Sequence, residues 1–450
     1  MNAKSRGAML MKDVISGEAA APARISRAYY LPILLLLAAY VLNFLDRQVV
    51  AILAEPIKRD LHLADWQLGA MTGLSFAILY TFLGIPIAKL AERGDRPMII
   101  GGAIGVWSFF TLVCGFAQTF TQLALARIGV GVGEAGCTPP ALSLISEYVP
   151  RERRSTAMSI YLAGAPLGGV LGMALGGLVA DQWGWRAAFL VAGAPGLVLA
   201  LLTFFTLPEP RRKQKVAIVQ SPTVREVVRK LLPKRTYFLV VGGVTLKAIL
   251  QYGFQAFFGS FFFRNHAGEL AAYASLWGLK SAGFLGVALG LTLGTSGILG
   301  SLAGGWLSDR FSSGQPKAQA WVPAFGAFAS TPFYVAAVLV PSMPLALALL
   351  FIPSMLTAFY FGPAYAIVQG LVPPGMRAMA TAIMLFVISL VGLGFGPLAV
   401  GITSDIISGP LGFGEAAGVR WSLALFALLG IPAGLLFLAS AKTLQRDLES

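Results

Sequence analysis

The stretch ARIGVGVGEAGCTPPALSLISEYVPRERR, residues 126–154, contains two charges inside an apolar, glycine-rich run and ends in a basic cluster. Arg127 and Glu134 are almost two helical turns apart, so they share one helix face at about 10 Å along the axis. Inside a lipid bilayer, two charges on one face need partners or water. The stretch therefore predicts a membrane helix whose charged face meets other helices or a cavity.

The composition of the whole chain indicates a membrane protein. Hydrophobic residues make up 56% of the 450 residues and charged residues only 12%, against about 25% charged residues in soluble domains. Cys114 and Cys137 both lie within apolar runs, and the two histidines fall in connections. The sequence therefore predicts neither a disulfide framework nor a metal site, and we expect no cofactor.

We predict an all-α integral membrane fold of twelve spanning helices, α1 to α12. Apolar runs long enough to cross a bilayer lie near residues 29–54, 67–90, 97–117, 120–148, 154–180, 186–207, 237–263, 286–308, 319–340, 343–370, 376–403 and 420–440. The expected domains are an N-terminal six-helix bundle over residues 1–207, a cytoplasmic linker over 208–235 and a C-terminal six-helix bundle over 236–450.

Lysines and arginines are unevenly distributed between alternate connections. Most of the 34 lie in the N-terminus, the linker and the other connections on the same side. The opposite side carries Lys58, Arg59, Arg186, Arg264, Lys280 and Arg420. This bias predicts that both termini are cytoplasmic. The net charge of +14 is thus a topology signal, and we expect no binding to nucleic acid.

The two halves of the chain repeat one another. Residues 73–93 (GLSFAILYTFLGIPIAKLAER) match residues 290–310 (GLTLGTSGILGSLAGGWLSDR), including the charged ends AER and SDR. A duplication of six helices predicts two pseudo-symmetric bundles, with the substrate site at their interface.

The repeated loops resemble the conserved loop of the major facilitator superfamily. The first copy, AKLAERGDR over residues 88–96, departs from that pattern at Ala88, Glu92 and Asp95, and the second copy is GWLSDR over residues 305–310. GAPLGG, residues 164–169, resembles the glycine–proline signature of α5 in the same superfamily. The resemblance implies the major facilitator fold and transport activity.

Three motifs of the N-terminal half are similar to the Spinster branch of that superfamily. They are NFLDR (residues 43–47), RIGVGVGEA (127–135) and WGWRAAF (183–189). Animal members of the branch are linked to export of sphingosine-1-phosphate and lysophospholipids. The resemblance implies a bacterial-type homologue in the inner membrane that moves an amphipathic anion or zwitterion, such as a lysolipid or a sphingolipid.

Four charges lie at overlapping membrane depths in α1 and α4. We expect Arg47 and Arg127, with Asn43 nearby, to hold an anionic head group, because a buried arginine stays protonated. Asp46 and Glu134 can neutralise themselves by taking up a proton, so we expect them to couple transport to protons. The alternative is a static Asp46–Arg127 or Arg47–Glu134 bridge that fixes α1 against α4.

A polar stripe in α7 is a further candidate for substrate binding. Lys247, Gln251 and Gln255 follow at four-residue spacing, and Phe254 begins a phenylalanine-rich outer half. We expect the charged head of an amphipath near Lys247 and its apolar chain along the phenylalanines. The alternative is that the phenylalanines only face lipid or neighbouring helices.

The loops after α2 and α8 suggest a cytoplasmic gate. A carboxylate there can meet the positive N-terminus of a helix of the other half, which pairs the loop after α2 with the start of α11, and the loop after α8 with the start of α5. Such contacts form when the cytoplasmic side is shut. The candidate gate residues are Glu92, Arg93, Asp309, Arg310, Arg153, Arg154 and Arg377.

The expected activity is secondary active transport by alternating access, linked to protons. The ATP-binding pattern GxxxxGK[ST] is absent from the sequence. An organic anion symporter or a drug/proton antiporter would use the same architecture. A membrane-embedded lipid-modifying enzyme is a distant alternative, because no histidine base lies at membrane depth. We expect a monomer in the bilayer that binds a small amphipathic substrate and protons.

Overall fold

The computed structural model describes residues 29–150, 153–213, 222–312 and 317–449, and these ranges are helical apart from short connections. In the N-terminal half, the helices are α1 (Tyr30–Leu61), α2 (Asp65–Gly69, the π-helical Ala70–Leu74 and Ser75–Arg93), α3 (Arg96–Cys114), α4 (Phe120–Glu134 and Thr138–Tyr148), and α5 with α6 (Arg154–Leu162 and Gly164–Thr206). In the C-terminal half they are α7 (Arg235–Asn265), α8 (Ser281–Ser312), α9 (Ala318–Leu339), α10 (Met343–Thr357 and Phe361–Gly370), α11 (Arg377–Val387, the π-helical Ile388–Phe395 and Gly396–Ser408) and α12 (Gly414–Ala427 and Gly430–Glu449).

Ten helical segments of the described residues are long and apolar enough to cross a membrane. One of them, residues 156–212, holds both α5 and α6, because Gly184 turns the chain with φ 83° and ψ 167°, which glycine adopts without a steric penalty. The helix α4 is divided after Glu134, and its second piece begins at a Pro-containing first turn. With these two cases resolved, the predicted count of twelve is confirmed.

Glycines set how closely the helices of the N-terminal bundle approach. A Cβ atom at Gly168 would lie 2.2 Å from the carbonyl oxygen of Val41, and one at Gly172 would lie 2.4 Å from that of Leu45. Any larger residue at these positions of α5 would collide with the backbone of α1. The four-residue glycine spacing of α5 therefore produces direct backbone packing, as in other membrane helix pairs.

The molecule has two faces, which we name by their connections. The linker face holds the end of α6, the start of α7 and the short linker helix Val224–Leu231 between them. The far face holds the connection from α1 to α2 and a second short helix, Ala267–Leu276, that precedes α8. The linker helix has a capping box between Thr223 and Glu226 and buries Val227 and Leu231 against the C-terminal bundle.

Candidate functional site

The site is built around two ion pairs that join α1 to α4. Arg47 Nε donates to Glu134 Oε2 at 2.6 Å, and Arg127 Nη1 donates to Asp46 Oδ2 at 3.1 Å. Thr111 of α3 donates its hydroxyl to the other oxygen of Asp46 at 2.9 Å. Both bridges named as alternatives in the sequence analysis are therefore present together.

Aromatic rings surround the guanidinium of Arg47. Its central carbon lies 5.1, 4.7 and 4.8 Å from the ring centres of Phe44, Phe76 and Tyr80, distances at which a cation is attracted to a ring face. Arg127 approaches the ring of Phe76 as well, at 5.4 Å. The rings therefore stabilise both guanidinium groups in addition to their carboxylate partners.

The two bridges leave polar atoms without a partner among the described residues. Glu134 Oε1 and Arg127 Nε are both buried and make no hydrogen bond there. Buried polar atoms in proteins are normally hydrogen-bonded, so an orphaned pair calls for an explanation. One carboxylate oxygen of Glu134 can thus accept a proton, and one N–H of Arg127 can bind a further acceptor, without breaking an existing hydrogen bond.

A cavity of about 1310 Å³ lies between α2, α4, α11 and the linker helix. Glu134 forms part of its inner wall, and Pro222 to Glu226 of the linker segment line its mouth, so the cavity is on the linker face. Its wall is mixed. The polar lining includes Thr81, Lys89, Glu92, Thr138 and Arg225, and the apolar lining includes Ile85, Leu90, Met379, Leu385 and Phe386.

Among the described residues, the cavity wall contains only two of the predicted site and gate residues, Glu134 and Glu92. Asn43 is buried in α1 one turn before the Asp46–Arg47 pair. Arg47 has 17% of its side chain exposed and Arg127 2%, and neither lines the cavity. Of the four charges in the two bridges, only Glu134 belongs to the cavity wall.

Lys247, a predicted substrate-binding residue, does not line this cavity. Its ammonium donates to Ser330 of α9 at 3.0 Å and to Thr357 of α10 at 3.1 Å, inside the C-terminal bundle. Phe254 packs with its ring 4.6 Å from that of Tyr334. Gln251 accepts a hydrogen bond from Tyr360 at 3.3 Å.

The phenylalanines of α7 do not line the cavity either. Phe254, Phe257, Phe258, Phe261 and Phe262 are all at most 2% exposed, so they are packed in the core of this structure, and a role in binding an apolar chain stays a prediction. The apolar wall of the cavity comes from α2 and α11. Gln255 is only partly buried, but it is not part of that wall.

Of the predicted gate residues in the described part of the chain, only Glu92 lines the same cavity. Glu92 and Met379, which follows Arg377 by two positions, line it together. Arg153 and Arg154 are at the start of α5, where Arg154 Nε donates to the carbonyl of Val149 at 3.3 Å. Asp309 and Arg310 are exposed near the end of α8, and the side chain of Arg93 lies outside the described part of the chain. The gate pairings stay a prediction for a conformation closed at this face.

Comparison with known proteins identifies the family. The sequence profile of the Major Facilitator Superfamily matches residues 36–397. The chain belongs to this superfamily. It is 33% identical over 409 residues to an MFS-type efflux pump of Mycolicibacterium smegmatis, covering 89% of this chain and 90% of the pump. It is 28% identical over 428 residues to protein spinster homolog 1 of Xenopus tropicalis, covering 92% of this chain and 81% of that protein.

Solved structures of the superfamily place the chain beside the Spinster branch. A bacterial homologue of the human lysosomal transporter Spinster, in an inward-facing and unoccupied conformation, superposes with a TM-score of 0.84 at 30% identity, covering 94% of this chain and 98% of that one. The occupied inward-facing form gives a TM-score of 0.81. The relatives are transporters and not enzymes, and this chain is a membrane transporter of the same kind.

An ion cluster at the linker face of this transporter was not predicted from the sequence. Arg96 is fully buried and donates to both oxygens of Glu147 at 2.8 Å, and its Nε donates to Glu209 at 2.9 Å. In the sequence, Arg96 belongs only to the motif of the loop after α2. The cluster ties α3 to α4 and to the segment after α6, and the run LPEPRR at residues 207–212 is the only local sign of it in the sequence.

A second network, also missed, joins the two bundles of the transporter at the far face. Arg264 of α7 pairs with Asp65 at 2.7 Å and with Glu55 at 2.8 Å, and Lys58 pairs with Asp65 at 2.9 Å. Lys58 also reaches Glu415, at the start of α12, at 3.1 Å. These contacts close the far face, whereas the cavity lies on the linker face.

Proposed function

We propose that this chain is a proton-coupled secondary transporter that works by alternating access and carries an amphipathic anion or zwitterion of the lysolipid or sphingolipid type. The observation that carries the proposal is the double bridge between α1 and α4, in which Glu134 lines the cavity and pairs with Arg47, next to the pair of Asp46 with Arg127.

Protonation of Glu134 is the coupling step in this proposal. A proton that enters through the cavity binds the carboxylate and removes the counter-charge of Arg47, which stays positive because a guanidinium is not deprotonated in proteins. An anionic head group can then replace the carboxylate as the partner of Arg47. When the head group leaves, Glu134 loses its proton and restores the bridge. Asp46, which pairs with Arg127 and does not line the cavity, is the second candidate proton carrier.

The walls of the cavity support an amphipathic substrate. Its wall contains Glu134, whose carboxylate pairs with Arg47, and also Leu385 and Phe386 of α11 and Ile85 of α2. A charged head and an apolar chain would thus find matching surfaces in one cavity. The resemblance of the NFLDR, RIGVGVGEA and WGWRAAF motifs to the Spinster branch supports this assignment, as does the location of the binding site between repeats in transporters of this kind.

The orientation and location form part of the same proposal. Because the basic connections lie on the linker face, we assign this face and both termini to the cytoplasm of a bacterial inner membrane. The cavity then opens inward, consistent with the inward-facing form of the solved homologue. The fold encloses the double bridge within a single chain, so we propose that the monomer is the working unit.

Reconstitution into liposomes tests the proposal. Wild-type protein should accumulate labelled lysophospholipid when a pH gradient is applied, and should exchange it without one. Glu134→Gln, which mimics the protonated state, should keep exchange but lose the response to the gradient. Glu134→Asp, which keeps an ionisable group, is the matched control and should retain part of it. An unchanged gradient dependence in Glu134→Gln would exclude Glu134 as the coupling group.

A drug/proton antiporter is the second candidate. It is favoured by the 33% identity to an efflux pump and by the carboxylates Glu92 and Glu134 in the cavity wall, which would attract a cation. Competition separates the two functions. If a cationic dye such as ethidium blocks lysolipid exchange, and a pH gradient drives its own accumulation, the antiporter assignment is correct.

A further inference from the structure

The far-face ends of α5 and α11 carry the same short sequence. Residues 177–181 read GLVAD and residues 401–405 read GITSD, so each helix has a glycine four residues before an aspartate. The helices α5 and α11 occupy equivalent positions in the two bundles. The repeat therefore places Gly177 with Gly401, and Asp181 with Asp405, in symmetric sites.

Each aspartate caps a helix of the opposite bundle. Asp405 accepts hydrogen bonds from the backbone N–H groups of Asp65 at 3.0 Å and Trp66 at 2.7 Å, at the start of α2. Asp181 accepts the equivalent bonds from the first turn of α8, from Ala282 at 3.1 Å and Gly283 at 2.6 Å. The first amides of a helix have no partner within that helix and carry partial positive charge, so a carboxylate satisfies and stabilises them.

The two glycines allow this approach. A Cβ atom at Gly177 would lie 2.1 Å from the carbonyl oxygen of Ala282, and one at Gly401 would lie 2.3 Å from that of Asp65. Both are backbone atoms of the opposite bundle, and such distances are impossible for a real side chain. Glycine and aspartate thus act together: the glycine lets the helices touch, and the aspartate binds the exposed amides.

The two caps differ in what surrounds them. On the α2–α11 side, the Asp65 carboxylate also accepts from Ser404 at 2.6 Å and pairs with Arg264 and Lys58. On the α5–α8 side, the equivalent residue is Ala282, and the added contact is Lys280 Nζ donating to the carbonyl of Asp181 at 2.6 Å. The aspartate cap is the part that both sides share.

We propose that Asp181 and Asp405 are paired latches that hold the far face of the transporter shut, and that both must release the starts of α8 and α2 before this face opens. Every hydrogen bond of the two caps crosses the interface between the bundles, so separation of the bundles at this face breaks them all. Closure at this face is then set by two symmetric polar contacts in addition to the ion pairs of Arg264.

Distance measurements between spin labels test the latches. One label replaces the exposed Gln118, in the connection from α3 to α4, and the other replaces the exposed Pro341, in the connection from α9 to α10. The distance between them reports the separation of the bundles at the far face. Asp181→Asn and Asp405→Asn should each raise the ratio of far-face-open to far-face-closed molecules by about tenfold, since charge-assisted hydrogen bonds are lost. The double variant should multiply the two effects, because the two caps have no residue in common.

Asp60→Asn is the matched control. Asp60 lies on the same face and loses the same charge, but it pairs with Trp185 and Arg186 inside the N-terminal bundle. If the ratio of far-face-open to far-face-closed molecules in the aspartate variants is no greater than in Asp60→Asn, the proposal is overturned. Gly177→Ala and Gly401→Ala give a second test without a change of charge, and should shift the ratio in the same direction. Unchanged ratios in both sets contradict the latches.

The measurement is made without substrate and without a pH gradient. Its outcome therefore does not depend on the substrate or on proton coupling by Glu134. If Glu134→Gln leaves transport unchanged while the latch variants open the far face, the proposed coupling fails and the latches stand.

Discussion

Arg47 Nε lies 2.6 Å from Glu134 Oε2, and of this pair only the arginine is partly exposed, at 17% against 0% for the carboxylate. The pair joins α1 to α4 beside the cavity, next to a second pair, Arg127 with Asp46. Two adjacent buried bridges can exchange partners in ways that a single bridge cannot. This arrangement makes the N-terminal bundle the site of both head-group binding and proton uptake in our proposal.

The structural role of the Arg127–Asp46 bridge can be separated from its role in transport by substitution. Arg127→Ala leaves the Asp46 carboxylate buried and unpaired, which we expect to lower the free energy of unfolding by about 3 kcal/mol. Asp46→Asn combined with Arg127→Met removes both charges and should recover most of that loss. Thermal unfolding in detergent measures the stability of each variant.

Transport by the same double variant tests whether Arg127 also binds the substrate. It should bind and move at least tenfold less lysolipid than wild type at equal protein amount, because the head group has lost Arg127. If the double variant is stable and transports at the wild-type rate, the bridge is purely structural.

Lys247 should be dispensable for head-group binding in the cavity. Its ammonium lies inside the C-terminal bundle between Ser330 and Thr357, away from the cavity wall. Lys247→Met has a similar volume and removes a buried charge, so we expect equal or greater thermal stability and lysolipid affinity within about threefold of wild type. A loss of affinity of tenfold or more, with the fold intact, would return Lys247 to the binding site.

The Arg96 cluster should stabilise the linker face. Arg96→Ala leaves Glu147 and Glu209 without their main partner, and we expect a loss of about 3 kcal/mol in the free energy of unfolding. Arg212→Ala is the control, since Arg212 pairs with Asp95 at an exposed position and should cost less than about 1 kcal/mol. Equal losses in the two variants would contradict a special role for Arg96.

Much of the N-terminal half could be predicted from the sequence. The depths of the charges in α1 and α4 follow from helix rise and direction, and they brought Asp46, Arg47, Arg127 and Glu134 together correctly. The rotation of α7 could not be predicted in the same way. Its surface is apolar on nearly every side, so no periodicity showed that Lys247 and Phe254 point into their own bundle.

The far-face contacts were invisible for a different reason. Asp65, Arg264 and Asp405 lie in connections or helix ends far apart in the chain, and each is unremarkable in its local sequence. Only the packing of the two bundles joins them. The repeat of GLVAD and GITSD is a signal that was available, but a five-residue match between apolar helices has no meaning until the caps are seen.

Proton movement during transport is the most direct test of the central claim. Liposomes that contain the wild-type protein and a trapped pH-sensitive dye should show a pH change inside when lysophospholipid is added outside. The same experiment with Glu134→Gln should show labelled lysophospholipid exchange with no pH change. Substrate movement by the wild type without any pH change, or an equal pH change with Glu134→Gln, would contradict proton coupling through this residue.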